Sequence, residues 1–203
     1  MIYPLRYYGD PILRQRARLI EHFDDDLRQL SQDMLETMYD AQGVGLAAPQ
    51  IGLPLRIFVA LEMGWLPDDA SPQDPQEESW GIIAEHVMVN PEITARHGLQ
   101  HGQDGCLSIP GLFVEAMPRD ARITLHYHNL AGEPCQLEAE GHFAHVIQHE
   151  LDHLDGILFF DRLPEAEKRN FLEAHRRELA DMQRQAKALL KQLKREALPA
   201  RGR

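Results

Sequence analysis

The segment HELDH at residues 149–153 has the spacing H-E-x-x-H, in which two histidines lie four positions apart with a glutamate next to the first. It belongs to an apolar stretch, residues 143–160, that predicts a helix. On a helix, His149 and His153 lie one turn apart on the same face, so both imidazoles can bind one metal ion. Glu150 can then move protons for a water molecule on that metal. The alternative is a polar helix face without a metal.

A catalytic metal needs a third protein ligand as well as an open position for water. The residues after His153 include the glycine of the longer metalloprotease pattern H-E-x-x-H-x-x-G-x-x-H, but Phe159 stands where that pattern has its third histidine. A carboxylate downstream could replace it, as in a zincin-type peptidase, and the candidates are Glu165, Glu167 and Glu173. A thiolate from upstream is the other possibility.

The chain has two cysteines, which lie in different contexts. Cys135 follows the turn-like residues GEP, and we interpret it as structural. Cys106 lies in DGCLSIP at residues 104–110, where the preceding glycine allows close approach of backbone. Taken alone, this segment is equally typical of a buried structural cysteine.

A third segment, GVGLAAPQIG at residues 43–52, is rich in glycine and alanine. The small side chains suit a place where the backbone of a substrate docks. No Gly-Lys-Ser/Thr follows, so this is not a phosphate-binding loop. The alternative is a glycine-rich connection without a ligand.

Together and in this order, GVGLAAPQIG, DGCLSIP and QHELDHLDG resemble the motif set of the peptide deformylase family. The resemblance extends over residues 4–162, about four fifths of the chain. It implies a metal-dependent hydrolase that removes the N-formyl group from the N-terminal formyl-methionine of newly synthesised polypeptides and releases formate. A low-activity or non-catalytic paralogue is the alternative, and a zincin-type metallopeptidase is a further one.

The resemblance also implies the ligands of one divalent metal ion, namely Cys106, His149 and His153. Family members characteristically use Fe(II), which we expect as the native metal, whereas Zn(II), Ni(II) or Co(II) can occupy such sites. The sequence cannot choose among these metals, because selection depends on geometry and supply as well as ligand type.

The remaining roles implied by the resemblance are catalytic and substrate-binding. Glu150 corresponds to the general acid/base, and Gln50 and the backbone N–H of Leu107 correspond to the donors that stabilise an oxyanion. The peptide is expected to run as an added strand beside three residues, Val44, Gly45 and Gly105.

The chain departs from the family pattern at three positions. Asp104 replaces the usual glutamate, Gly111 replaces a common glutamate, and His145 stands where arginine or an aliphatic residue is frequent. The shorter Asp104 is expected to shift or lose any ion pair of the usual glutamate. His145 lies one helical turn before His149, so we expect it to bind substrate at the rim of the methionine pocket, with an exposed helix residue as the alternative.

We expect a single α+β domain with antiparallel or mixed β-sheets around a central H-E-x-x-H helix, an N-terminal helix and a long C-terminal helix. Periodicity predicts the first helix at residues 24–41, and alternation predicts four strands, at residues 56–61, 87–91, 121–128 and 135–139. Residues 1–163 form the predicted catalytic domain. Within it, residues 62–85 hold seven acidic and no basic residues, which is typical of a long acidic loop.

Residues 164–203 predict an amphipathic basic helix and tail on a chain whose net charge is −11. Such a basic element could bind RNA, and the resemblance makes the ribosome the natural partner. The alternatives are packing on the same domain and pairing into a dimer. We expect neither DNA nor a membrane as a partner. The two cysteines and the lack of a signal-peptide pattern favour a cytoplasmic location.

Overall fold

The computed structural model describes residues 1–65 and 80–196. Its centre is a five-stranded antiparallel sheet with the strand order β1-β2-β3-β6-β7. The strands of this sheet are β1 (Gly45–Ala47), β2 (Ile57–Trp65), β3 (Trp80–His97), β6 (Arg122–His128) and β7 (Pro134–Glu140). A separate two-stranded antiparallel sheet consists of β4 (Gln100–Cys106) and β5 (Ile109–Arg119).

The described residues form four α-helices around these sheets: α1 (Asp25–Asp40), α2 (Gly141–Leu154), α3 (Glu165–Ala174) and α4 (Arg176–Glu196). Helix α1 begins after Asp24, whose side chain accepts a hydrogen bond from the Leu27 N–H and so caps the first turn. Helix α2 carries the H-E-x-x-H segment. The predicted α+β class is therefore confirmed, including the central helix and the N-terminal helix.

Strand β2 of the five-stranded sheet is covered on both faces, with α2 against one of them. Side chains alternate along β2, so that Phe58 and Ala60 contact the apolar side of α2 while Ile57 and Val59 pack with residues of α1. Helix α2 contributes Ile147 to the first of these clusters. Because both faces of β2 are apolar, this strand shows a continuous apolar run rather than an alternation.

The predicted helix at residues 24–41 and the strands near residues 56, 121 and 135 agree with α1, β2, β6 and β7. Strand β3 is much longer than the predicted residues 87–91, and β1, β4 and β5 were not predicted. Strands β2 and β3 also extend into the ends of the predicted acidic loop, at residues 62–65 and 80–85. The middle of that loop, residues 66–79, lies outside the described residues.

The predicted long C-terminal helix is confirmed as α4, and a shorter helix, α3, precedes it and is separated from it at His175. The ring of His175 packs on Phe171, with ring centroids 4.7 Å apart. Phe171 of α3 and Leu179 and Met182 of α4 are buried in one cluster with the aromatic residues at 159 and 160. These buried residues of α3 and α4 therefore pack on the same domain, which is one of the interpretations given for this segment. Residues 197–203 lie outside the described part of the chain.

Within residues 1–65 and 80–196, no helix has both the length and the apolar composition that a bilayer crossing requires.

The end of α2 yields a prediction about stability. Gly156 has φ +73°, and a Cβ there would lie 2.8 Å from backbone atoms of Arg14, whereas Gly141 at the start of α2 has φ +57° and open space around it. Gly141→Ala should cost about 1 kcal/mol, the strain of a left-handed residue. Gly156→Ala should cost distinctly more, because the backbone at Arg14 must also move. Urea unfolding measures both free energies, and equal losses would contradict the steric argument.

Candidate metal centre

Two elements bring the three candidate ligands together. Helix α2 supplies His149 and His153, and Cys106 is the last residue of β4. The Cys106 Sγ atom lies 3.1 Å from His153 Nε2, and the Nε2 atoms of the two histidines are 3.2 Å apart. All three side chains are buried. The sulfur and the two ring nitrogens therefore converge on one point from a strand and a helix.

This donor set fits a divalent metal ion. The three ligand atoms lie within 4.8 Å of one another, and they form the one such group of three histidine, cysteine or acidic residues in the described part of the chain. Tetrahedral bonds of about 2.0–2.3 Å place ligand atoms roughly 3.4 Å apart, close to the separations seen here. The carboxylates considered as third ligands, Glu165, Glu167 and Glu173, are exposed in α3 and are not part of the group.

A buried carboxylate orients the first histidine. Asp104 Oδ1 accepts a hydrogen bond of 2.6 Å from His149 Nδ1, which leaves Nε2 facing Cys106. Arg119 donates to Asp104 at 2.8 Å and to Asp152 at 2.5 Å. Burial would raise the pKa of Asp104, but the charges and hydrogen bonds of His149, His145 and Arg119 lower it well below the ordinary value. Asp104 is therefore an anion that can hold the Nδ1–H tautomer of His149.

The two histidines differ in how they hold a proton. Burial would lower the pKa of His149, but the charge and hydrogen bond of Asp104 raise it well above the ordinary value. Burial and the neighbouring His149 lower the pKa of His153 well below the ordinary value. A metal requires a free Nε2 lone pair on both rings, so its binding would release the proton that His149 otherwise holds there.

Glu150 is almost completely buried. Only 3% of the residue is exposed, and its Oε2 atom has no hydrogen-bond partner in the described structure. Burial raises the pKa of Glu150 to about 7. Strand β1 lies directly against it, since a Cβ at Gly45 would overlap Glu150 Oε1. Position 45 must therefore be glycine for the Glu150 side chain to keep this position.

Gln50 lies in a short 3-10 turn, Ala48–Ile51, directly after β1. Its Oε1 atom accepts a hydrogen bond of 2.7 Å from the Ala47 N–H, which fixes the side-chain amide. The Nε2 atom is thereby directed toward the metal centre, 3.7 Å from Cys106 Sγ. Leu107 occupies the turn between β4 and β5, next to the same sulfur.

A cavity of about 550 Å³ opens onto these groups. It is lined by nine of the ten site residues that the sequence indicated, namely Val44, Gly45, Gln50, Gly105, Cys106, Leu107, His145, His149 and Glu150. The tenth, His153, is fully buried beside them. A larger cavity of about 890 Å³ is lined by residues such as Arg56 and Arg96 and includes none of the three candidate ligands.

The ion-pair network around Asp104 was not predicted. The sequence identifies Asp104 as a departure from the family at which any ion pair of the usual glutamate is expected to be shifted or lost, and this remains a prediction. Asp104 itself forms a buried ion pair with Arg119. His145, for which an exposed position was one alternative, is 8% exposed. Its Nε2 atom lies 3.2 Å from Asp104 Oδ2. These contacts join residues far apart in the chain, and periodicity carries no signal for them.

The comparisons with known proteins agree with the motifs. A model of the polypeptide deformylase family matches residues 2–169. The peptide deformylase of Thermus thermophilus is 51% identical over 193 residues, which cover 95% of this chain and 98% of that protein. The peptide deformylase of Alkalilimnicola ehrlichii is 44% identical over 180 residues, which cover 89% and 90% of the two chains.

Solved structures show the same relationship. The crystal structure of a peptide deformylase from Thermus thermophilus matches with a TM-score of 0.80 at 49% identity, covering 91% of this chain and 99% of that one. The structure of a peptide deformylase from Synechococcus elongatus in complex with actinonin matches with a TM-score of 0.70 at 38% identity, covering 87% of each chain. Sequence and fold thus agree over nearly the whole length, and this chain belongs to the peptide deformylase family.

Proposed function

We propose that this chain removes the N-formyl group from the N-terminal formyl-methionine of newly synthesised polypeptides and releases formate. The observation that carries the proposal is the convergence of Cys106, His149 and His153 beside the buried Glu150, in a chain that belongs to the peptide deformylase family. Members of this family depend on a metal, and the donor set described above fits one.

The strand edges around the cavity suit an extended peptide. Among the described residues, β1 is an edge strand of the five-stranded sheet and β4 pairs with β5 alone, so each has an edge available for pairing. Val44 and Gly45 line the cavity from one side, and Gly105 lines it from the other. A substrate that adds a strand here is held through its backbone, which accepts many sequences. Apolar side chains of Leu107 and Phe113 in the same cavity suit a methionine side chain.

The polar groups of the site have separate roles in the proposed hydrolysis. Glu150 takes up a proton from the attacking water and passes it to the leaving amine. A pKa of about 7 suits Glu150 to both transfers at neutral pH. Gln50 Nε2 and the Leu107 N–H stabilise the negative charge that develops on the formyl oxygen. A divalent metal held by Cys106, His149 and His153 would supply a Lewis acid that polarises a carbonyl and lowers the pKa of water.

We propose Fe(II) as the native metal, with Zn(II), Ni(II) or Co(II) as alternatives. One thiolate and two imidazoles are compatible with each of these ions, so the choice depends on supply and on protection from oxygen. Anaerobic purification followed by elemental analysis identifies the metal, and formate release compared across the reconstituted metals shows which one supports turnover.

The two alternatives to a deformylase are less well supported. A zincin-type peptidase would need a downstream glutamate as a ligand, and those glutamates are exposed on α3. A non-catalytic paralogue would not need a buried glutamate beside the ligands or a fixed amide at Gln50, but this chain has both. Release of formate from formyl-Met-Ala-Ser by the wild-type protein separates these possibilities directly.

The ligand assignment predicts the behaviour of the two cysteine variants. Cys106→Ser should lose most of its metal and its formate release, because the thiolate forms one of three protein–metal bonds. Cys135→Ser is the matched control, since Cys135 is half-buried on β7 and is not part of the ligand group. Metal content and activity are measured on both. Full occupancy with retained activity in Cys106→Ser would exclude the thiolate from the site.

The acid/base assignment predicts that Glu150→Gln retains metal and loses at least ~10² in kcat, the usual share of a positioned proton transfer. The substitution keeps the shape of the side chain and removes the ionisable carboxyl group. Steady-state kinetics with a formyl-methionyl peptide and elemental analysis test the two halves together. Turnover close to that of the wild type would show that another group moves the proton.

We also propose that the exposed basic face of α4 contacts the ribosome. Leu179, Met182 and Ala186 are buried, so this helix presents its remaining surface to solvent. That surface carries exposed basic residues toward its C-terminal end, namely Lys187, Lys191, Lys194 and Arg195. An acidic protein is repelled by RNA unless a basic element leads the approach.

Because the buried residues of α4 belong to the core, charge changes test ribosome contact better than truncation. Lys191→Gln with Lys194→Gln should weaken co-sedimentation with ribosomes and flatten its salt dependence. Arg176→Gln with Arg177→Gln is the control, since it removes the same charge from exposed positions at the other end of α4. Formate release from short peptides should be unchanged in both. Equal pelleting of the two double variants would contradict a role for the C-terminal end.

A further inference from the structure

The carboxylate of Asp104 lies between two histidines of α2. One oxygen, Oδ1, accepts the 2.6 Å hydrogen bond from His149 Nδ1. The other, Oδ2, accepts hydrogen bonds from Arg119 and lies 3.2 Å from His145 Nε2. The side chains of Asp104 and His145 are 2% and 10% exposed, so water has little access to the contact between them.

We propose that His145 is a positioning residue for the metal centre, which acts through Asp104 to hold the ligand His149. The proposal rests on the ligand set given under the proposed function, and it gives His145 a role beyond the lining of the substrate cavity. His145 touches neither the metal nor the scissile bond in this role. It forms one end of a buried group of three residues, His145–Asp104–His149, whose arrangement does not require a bound substrate.

The geometry explains why Asp104 needs a second support. A carboxylate can rotate about its last side-chain bond, and His149 is oriented correctly only while one oxygen stays in the plane of its Nδ1–H. Arg119 holds Oδ2 from one side, and His145 is in contact with the same oxygen. No aligned hydrogen-bond partner for His145 Nε2 occurs in the described structure, so Asp104 is the polar group that it faces.

The size of the aspartate provides a second argument. The contacts of 2.6 and 3.2 Å on the two oxygens leave no room for an additional methylene between the strand and the two rings. A glutamate at position 104 would have to displace one of these histidines. The family resemblance marks both 104 and 145 as departures from the usual pattern, and the structure places these two side chains 3.2 Å apart. The short carboxylate and the imidazole therefore form a matched pair.

Metal affinity of the full-length protein is the readout, because it can be measured without any turnover. The metal-free protein is titrated with Co(II) or Zn(II) in competition with a chelator, and the Co(II) absorption spectrum reports the ligand geometry. His145→Leu should weaken metal affinity by about 10-fold to 100-fold, the usual effect of losing a group that orients a ligand. His142→Leu is the matched control, since His142 lines the same cavity from the exposed start of α2 and is not in contact with Asp104 among the described residues.

A double-substitution cycle tests whether the two positions act together. Asp104→Glu should weaken metal affinity strongly while His145 is present, and less when His145→Ala provides space for the longer side chain. The factor by which metal affinity falls in the double variant should therefore be smaller than the product of the factors for the two single variants. Thermal unfolding of the metal-free variants is measured alongside, so that loss of folded protein is not mistaken for loss of affinity.

Two results would overturn the proposal. Wild-type metal affinity in His145→Leu, with only the KM for formyl-methionyl peptides changed, would restrict His145 to the substrate cavity. Losses that multiply in the double variant would show that the two positions are independent. A wild-type protein that binds metal but releases no formate would instead count against the proposed function. The metal affinities of the variants would still test the role of His145.

Discussion

A buried chain of ion pairs connects helix α2, which carries His149 and His153, to strand β4, which carries Cys106. Arg119, the last residue of β5, bonds to Asp104 on β4 and to Asp152 on α2, and the side chains of all three are at most 5% exposed. Removing one partner of such a buried pair typically costs about 3–5 kcal/mol, because a charge is left unpaired away from water. The same pairs set the separation between Cys106 and the two histidines. The arrangement of the three candidate ligands therefore depends on charged groups that do not contact the atoms that would bind the metal.

The neighbours of Asp104 and Glu150 explain why these two buried carboxyl groups differ in charge state. Asp104 is surrounded by cationic and hydrogen-bonding partners, so it remains an anion despite its burial. Glu150 lies on the same helix as the histidines, and one of its oxygens has no hydrogen-bond partner among residues 1–65 and 80–196, so burial raises its pKa to about 7. One carboxylate is thus fixed as a structural charge, and the other is free to exchange a proton. The contrast arises from the neighbours of each group and not from the residue type.

The sequence was most informative where chemistry or periodicity is local. The four-residue spacing identified His149 and His153, and the apolar stripe identified α1 almost to its ends. Cys106 was identified only through its motif, because a lone buried cysteine carries no periodic signal. Strands β1 and β4 were missed since one has three residues and the other, QHGQDGC, is mostly polar or glycine and lacks apolar alternation. Their pairing partners, not their composition, make them strands.

Gly45 in the segment GVGLAAPQIG shows how the proposed peptide binding and the buried Glu150 constrain the same backbone. A side chain at Gly45 would occupy the position of the Glu150 carboxylate, so β1 can approach α2 only without one. That approach leaves β1 with a partner, β2, along one edge and with the cavity along the other. In the proposed binding mode, a peptide added at this edge lies beside Glu150 because of the same close contact. The glycine that leaves room for the glutamate therefore also lies at the strand edge that we propose as the binding surface.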